Sequence, residues 1–327
     1  MSPTLALATR VAEVRARGEA AWSLSTPTFP EPDLPPDMDG SWVQLSPPLG
    51  LPELRAATRD ALFGNWILPD HDIMVTAGAK AALFSILRAA LKPGDGVLVP
   101  VPCWPSYFDL CAAAAVNAVA FPTDASNGFA LDIERLVQSC ETRNICAVML
   151  SNPCNPTGRI LEARELHDLA ALCQARRMLL IVDQSFSGIV FDHAMWAASV
   201  TPGFDRLVLV DSFSKNAVLQ GARVAAAMIP GDLLDPTVVA HQTIVSAAPT
   251  PGQKLALHAL ETGARMPRLD VQRAMVAEFI RGQGWACHDQ AGTFYFFPQL
   301  PDIAGFRQRA EERNMFLLTG DAFGAGY

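Results

Sequence analysis

Lysine is scarce in this sequence: of 25 basic residues only Lys80, Lys92, Lys215 and Lys254 are lysines, so each is a candidate for chemistry that arginine cannot supply. No basic excess exists either. The 25 Lys and Arg are outnumbered by 33 Asp and Glu, a formal charge of −8, which argues against a nucleic-acid partner held by counterion release and leaves a small molecule as the expected ligand. Seven cysteines, an odd number, form no Cys-x-x-Cys pair and sit largely in apolar runs such as NICAVML, which fits a reducing cytosol better than a disulfide framework. Only Cys154 falls in a polar loop. The longest apolar stretch, Cys111 to Phe121, is far short of the roughly 20 residues that span a bilayer. The first 25 residues hold no apolar core followed by a cleavage site, so a soluble, cytoplasmic protein with no membrane contact is expected. His71, His167, His193, His241, His258 and His288 have no ligand spacing, and no metal is expected. Internal repeats, charge blocks and Gly/Ser linkers are absent.

What remains is a globular composition, with 50% hydrophobic and 18% charged residues over 327 positions, enough for about two domains. The proline-rich stretch up to Asp39 predicts an extended arm after one short helix. GLPELRAATRDALF has a helical apolar period opened by a proline. DIMVTAG predicts a strand, and AKAALFSILRAALK after Gly78 predicts a helix stopped by Pro93-Gly94. Four more apolar runs follow, at 96–102, 144–150, 177–183 and 205–211, with helices expected over about 105–115 and 161–176. Unalternated apolar strands separated by helices imply a doubly wound α/β fold with a mostly parallel sheet and helices on both faces. Beyond Pro251 two helical segments, a strand at GTFYFFPQL and a further helix suggest a smaller α/β unit. The expected organisation is an arm over 1–39, a large domain over 40–250 and a small domain over 251–327.

Ligands of an open parallel sheet bind beyond the carboxyl ends of its strands. Here those ends carry the loop Ser151 to Gly158, then Asp183-Gln184-Ser185-Phe186, then Ser212-Phe213-Ser214-Lys215. An amide, a carboxylate and an amine therefore converge on the same edge. The Gly78 turn adds free N–H groups at a helix start, suited to a phosphate. A ligand with a phosphate, a carbonyl and a basic ring nitrogen would use all of these, and pyridoxal 5′-phosphate has all three.

SFSKNAVLQGAR resembles the Ser-x-x-Lys motif, with an arginine eight residues after the lysine, of the class I/II aminotransferases, the fold-type I family dependent on pyridoxal phosphate. NPCNPTG and VDQSF are similar to the same family, Asp183 following Asn155 by 28 residues. PCWPSY and TAGAKAA add two further matches, and the likeness runs from about Leu24 to Phe323. It implies that Lys215 forms a Schiff base with the cofactor and then shuttles the α-proton. By the same likeness Asn155 bonds the ring hydroxyl, Asp183 keeps the ring nitrogen protonated, and Trp104 stacks on the ring. Ser212, Arg223 and the backbone N–H groups of Gly78, Ala79 and Lys80 would hold the phosphate. The activity implied is transfer of an amino group between an amino acid and a 2-oxo acid in a homodimer. Taken singly, Asp183 could be a helix cap, NPCNPTG a stiffened turn and Trp104 a core residue; their joint order along one chain is what points to the family.

Several positions depart from the family pattern. Phe186 stands where most relatives have a tyrosine that donates to the ring hydroxyl, which predicts a Lys215 Schiff base that keeps its proton to higher pH. Leu45 replaces a tyrosine that crosses the dimer interface, and Ser25 replaces a glycine of the amino-terminal substrate loop. LLTGDAFGAGY resembles the segment just before the arginine that binds the substrate carboxylate, and the sequence ends at Tyr327 without it, so the small domain is expected to be shortened. These departures keep two other outcomes open: a decarboxylase, lyase, cyclase or oxidase with the same cofactor, or a cofactor-binding module without catalysis.

Overall fold

The computed structural model describes residues 13–14, 16–20, 39–64, 68–199, 203–265 and 268–327. The expected amino-terminal arm, most of its helix, and Ser25 lie outside the described residues.

Helix α1 (Pro52–Phe63) begins on a proline, whose missing N–H is no loss in a first turn, and buries Leu54, Thr58 and Phe63 on one face. Strand β1 (His71–Thr76) leads through the Gly78 turn into α2 (Ala79–Ala90), and β2 (Gly96–Val101) into α3 (Ser106–Ala113). Next come β3 (Asn117–Pro122), α4 (Ile133–Thr142), β4 (Ile145–Ser151), α5 (Ala163–Ala175) and β5 (Leu179–Asp183). The order continues with α6 (His193–Ala198), β6 (Leu207–Ser212), the one-turn α7 (Phe213–Asn216), β7 (Ala225–Pro230) and α8 (Gly231–Val245). Helices α9 (Thr250–Thr262), α10 (Asp270–Gly282) and α11 (Ile303–Glu311) complete the chain.

The seven strands form one sheet in the order β1-β7-β6-β5-β4-β2-β3. Strands β2 to β6 run parallel, and β7 is antiparallel to both its neighbours. The doubly wound, mostly parallel α/β architecture is therefore the one found. Because side chains alternate across a strand, Val208 and Val210 enter the core on one face while Leu207 and Leu209 enter the core on the other. Both faces are buried, which is why the apolar runs show no polar alternation.

The carboxy-terminal part differs from the strand expected at GTFYFFPQL. Among the described residues this segment forms only isolated bridges, Val190 with Gly292 and Ala286 with Gln299. Its rings pack edge-on instead: Phe294 lies 5.4 Å and Tyr295 5.8 Å from Phe186, centroid to centroid. Helix α9 packs against α1, and its Ala256 and Leu257 join Leu54, Val75, Phe213 and Val224 in a common cluster. No described helix is long and apolar enough to cross a membrane.

Candidate active site

A cavity of about 380 Å³ opens at the carboxyl ends of the parallel strands. Ala79, Lys80, Trp104, Asn155, Asp183, Ser212, Lys215 and Arg223 all line it, so eight of the nine residues singled out from the sequence come together. Gly78, the ninth, forms its edge without lining it. Gly78 has φ 87°, a backbone conformation open to glycine, and caps α2. A Cβ at this position would collide with the Arg223 guanidinium. Arg223 itself occupies the left-handed region, φ 53° and ψ 58°, at a cost of about 1–2 kcal/mol. Its guanidinium stands against the Gly78 turn; the Gly78 N–H is itself bonded to the Thr76 carbonyl at 2.7 Å, so the donors beside the guanidinium for an anion are the first-turn N–H groups of Ala79 and Lys80 rather than that of Gly78.

The turn is held from behind by His241, a fully buried residue of α8. The Ala77 N–H donates to His241 Nε2 at 3.0 Å, so the ring proton sits on Nδ1, which has no partner. Burial pushes the His241 pKa down from 6.5 to about 4. The folded form thus refuses a proton that the unfolded chain accepts. Stability is present above pH 6.5 and lost as pH falls through about 4, by at most about 3 kcal/mol from this residue. Thermal melts between pH 4 and 6.5 are expected to be shallower in pH for His241→Gln than for the native chain.

Asp183 ends β5 at the floor of the cavity. Its Oδ2 accepts from the Tyr107 hydroxyl at 2.9 Å, and its Oδ1 accepts from the Ser185 N–H at 3.0 Å and the Ser185 hydroxyl at 2.6 Å. Burial raises the Asp183 pKa, opposed by those three donors. Burial likewise raises the Tyr107 phenol well above its usual range, with the Asp183 charge adding to it, so Tyr107 keeps its proton and donates.

Trp104 stands at the mouth of α3, its ring edge-on to Tyr107 at 5.5 Å. Lys80 Nζ lies 4.9 Å over the Trp104 ring and donates to the Ser106 hydroxyl at 3.1 Å. Asn155 is buried, its N–H donating to the Ser151 hydroxyl at 3.2 Å while its Oδ1 has no partner. The other asparagine of NPCNPTG, Asn152, is structural: Nδ2 donates to the Ser199 hydroxyl at 2.8 Å and Oδ1 accepts from the Leu161 N–H at 3.0 Å. Lys215 projects from the first turn after β6, with Nζ 5.9 Å from the Phe294 ring centroid.

Six further residues line the cavity: Ser151, Ser185 and Ser214, which the sequence places at the strand ends without a role, and Tyr107, Gln220 and Tyr295, which it does not place there. Tyr107 had a usable signal, since it lies three positions after Trp104 at a helix start and such pairs share a face. Tyr295 lies in GTFYFF, a weaker match to the family pattern that assigns it no role, and it reaches the cavity from the carboxy-terminal segment.

A mostly parallel sheet with a lysine on the turn after β6, a carboxylate at the end of β5 and an anion cradle before α2 defines the fold-type I class of transferases. The family model for aminotransferase class I and II matches residues 31–325, and the chain belongs to that family. It is 29% identical over 340 residues to an aspartate aminotransferase of Thermotoga maritima, covering 99% of this chain and 89% of that one. An aspartate aminotransferase of Pyrococcus abyssi is 27% identical over 304 residues, 88% of this chain and 78% of its own. The solved N-succinyldiaminopimelate aminotransferase of Mycobacterium tuberculosis superposes with a TM-score of 0.76 at 27% identity, covering 87% and 78% of the two chains. The protein is an aminotransferase of a family whose members use pyridoxal phosphate.

Proposed function

We propose that the cavity holds pyridoxal phosphate on Lys215 and that the protein moves an amino group between an amino acid and a 2-oxo acid. The observation that carries this is the convergence of Lys215, Asp183, Asn155, Trp104 and Arg223 on one cavity. The residues fit the group: any side chain at Gly78 would displace the Arg223 guanidinium from the turn, and the buried Asn155 amide carries an oxygen without a partner. When bound, the cofactor supplies a carbonyl for amines and a ring that withdraws electrons from the carbon they carry.

The chain's own residues do the rest. Lys215 is the amine that carries the cofactor and, once displaced by substrate, moves the proton at the substrate Cα. Asp183, held by Tyr107 and Ser185, keeps the proton on the ring nitrogen. Trp104 would cover one ring face, Asn155 would meet the ring hydroxyl, and Arg223, Ser212 and the N–H groups of Ala79 and Lys80 would hold the phosphate; the Gly78 N–H expected to join them is taken by the Thr76 carbonyl at 2.7 Å. That leaves the Lys80 amine as the remaining cation lining the cavity among the described residues, and we assign it to a substrate carboxylate. The aspartate aminotransferases among its relatives support an acidic amino donor.

We further propose a cytoplasmic homodimer built on a large unit over 40–250 and a small one over 251–327, with α9 docked on the large unit. In support, the segment after Gly40–Trp42 lies along α9, where Val43, Leu45 and Leu255 expose 51%, 68% and 42% of their surface.

The deciding experiment is the absorption spectrum of the protein with pyridoxal phosphate, before and after a panel of amino acids. Bleaching of the visible band by one amino acid and its return with a 2-oxo acid is the expected result. A band that forms and never cycles would sink transamination and favour the lyase outcome or a cofactor-binding module without catalysis.

Two variants sharpen this reading. Phe186 is buried and cannot donate to the ring hydroxyl. A hydrogen bond to a charged group is worth about 1.5–3 kcal/mol, or about one to two pKa units, so Phe186→Tyr is expected to lower the pH midpoint of the visible band by about that much in a spectrophotometric titration. Tyr107→Phe removes one donor from Asp183, and by the same magnitude kcat is expected to fall about 10- to 100-fold in steady-state assays, with the fold retained by circular dichroism.

A further inference from the structure

Behind the cavity lies a second buried polar cluster, on the opposite face of β6. Asp211 continues the register of Leu207 and Leu209 on that face, whereas Ser212 continues that of Val208 and Val210. Asp211 is 1% exposed, and its carboxylate accepts from the Ser187 hydroxyl at 2.6 Å, the Ser212 N–H at 2.6 Å and Asn216 Nδ2 at 2.7 Å. Asn216 Nδ2 also donates to the Ser187 hydroxyl at 2.8 Å, and Asn216 Oδ1 accepts from the Gly188 N–H at 2.9 Å. Contact here is close: a Cβ on Gly188 would stand 3.0 Å from Asn216 Oδ1.

Ser187, Asp211 and Asn216 do not line the cavity, yet each adjoins a residue that does. Ser187 follows Phe186, Asp211 precedes Ser212, and Asn216 follows Lys215. We propose that Asp211 is a positioning residue that clamps the loop carrying Phe186 to the single turn carrying Lys215, fixing where the Lys215 amine stands in the cavity. The inference rests on Lys215 being the reactive amine.

The chemistry of the cluster selects a carboxylate. Every neighbour directs a donor at position 211, and an ionised carboxylate is acceptor-only. Helix α7 is one turn long and has little rigidity of its own, so side-chain bonds must hold it. Burial pushes the Asp211 carboxyl up to about 7, the Asp183 charge adding to this and the Ser187, Ser212 and Asn216 donors opposing it. A buried carboxylate with such a desolvation cost is a poor stabiliser compared with apolar packing, which favours a role in geometry over one in stability alone.

The test compares native protein, Asp211→Asn and Asn216→Ala, each loaded with pyridoxal phosphate. Five quantities are measured: the rate of borohydride trapping of the cofactor on Lys215 by mass spectrometry, the pH midpoint of the visible band, kcat, KM and the melting temperature. Asp211→Asn turns one acceptor into a donor inside a ring of donors. It is expected to lower kcat about tenfold or more, with KM changed less than about threefold, to slow trapping, and to move the band midpoint. Asn216→Ala, which leaves the carboxylate in place, is expected to act in the same direction and decides the matter if Asp211→Asn does not fold. A lowered melting temperature with native trapping rate, band midpoint and kcat in the folded variants would overturn the proposal. Failure of the native protein itself to trap cofactor on Lys215 would remove the Lys215 assignment and this inference with it.

Discussion

Lys215→Ala is expected to abolish the visible band of the protein mixed with pyridoxal phosphate and to reduce transamination by more than about 10³-fold. The size follows from two roles lost together. General acid–base transfer by a placed side chain is worth about 10²- to 10⁴-fold, and the same amine anchors the cofactor covalently. No neighbour can stand in. Among the described residues lining the cavity, the other cations are Lys80, engaged with Ser106 and Trp104, and Arg223, whose guanidinium donates to the Gln220 carbonyl at 3.0 Å and has no free amine to condense with a carbonyl. The fold is expected to survive, because Lys215 makes no ion pair among the described residues and is only half-buried. Retained melting temperature with a lost band, read by thermal melt and absorption, separates a chemical role from a structural one. A persistent band in Lys215→Ala would place the reactive amine elsewhere.

Asp183→Asn should produce effects of opposite sign on activity and stability. Removing a preorganised charge from beneath the reacting ring costs about 10²- to 10³-fold in kcat, and an amide cannot hold the ring-nitrogen proton. Stability moves the other way. The folded pKa of Asp183 lies above its unfolded value of 3.8 because of burial. Its share of stability is therefore fully present below 3.8 and lost as pH rises through the raised folded value. Above that raised value the cofactor-free protein bears a buried charge that the substitution would remove, while the amide put in its place could still accept from the Ser185 donors and face the Tyr107 oxygen. The melting temperature of cofactor-free Asp183→Asn is expected to equal or exceed that of the native chain at pH 8 and to fall below it in acid. A variant that loses stability at pH 8 and keeps its kcat would show Asp183 to be a structural residue.

The strands were legible where they are buried on both faces. The runs at 96–102, 144–150, 177–183 and 205–211 became β2, β4, β5 and β6 because continuous apolar sequence can be satisfied only inside a covered sheet. Strand β3 escaped notice since most of it is exposed or half-buried at the sheet edge, so its sequence blends into the alanine-rich helix before it. Strand β7, AAAMIP, has the composition of a helix; the antiparallel ladders to β1 and β6 override its propensity. At GTFYFFPQL the reverse happened: a strand-like composition found bridge partners only for Gly292 near its start and Gln299 near its end, and its aromatic rings turned to the cavity wall instead.

Local sequence by itself determined the chemistry-bearing groups that sit next to a recognisable break. Gly78, Asn155, Asp183, Ser212 and Lys215 each follow or end an apolar run, and in a parallel sheet every such end points to the same edge. The tertiary structure alone decided what surrounds them. Tyr107 reaches Asp183 across 76 positions of chain, His241 reaches Ala77 across 164, and Tyr295 enters from the carboxy-terminal segment. Partners so distant in sequence leave no periodicity to read, because they are chosen by which faces the packed sheet and helices bring within hydrogen-bonding distance.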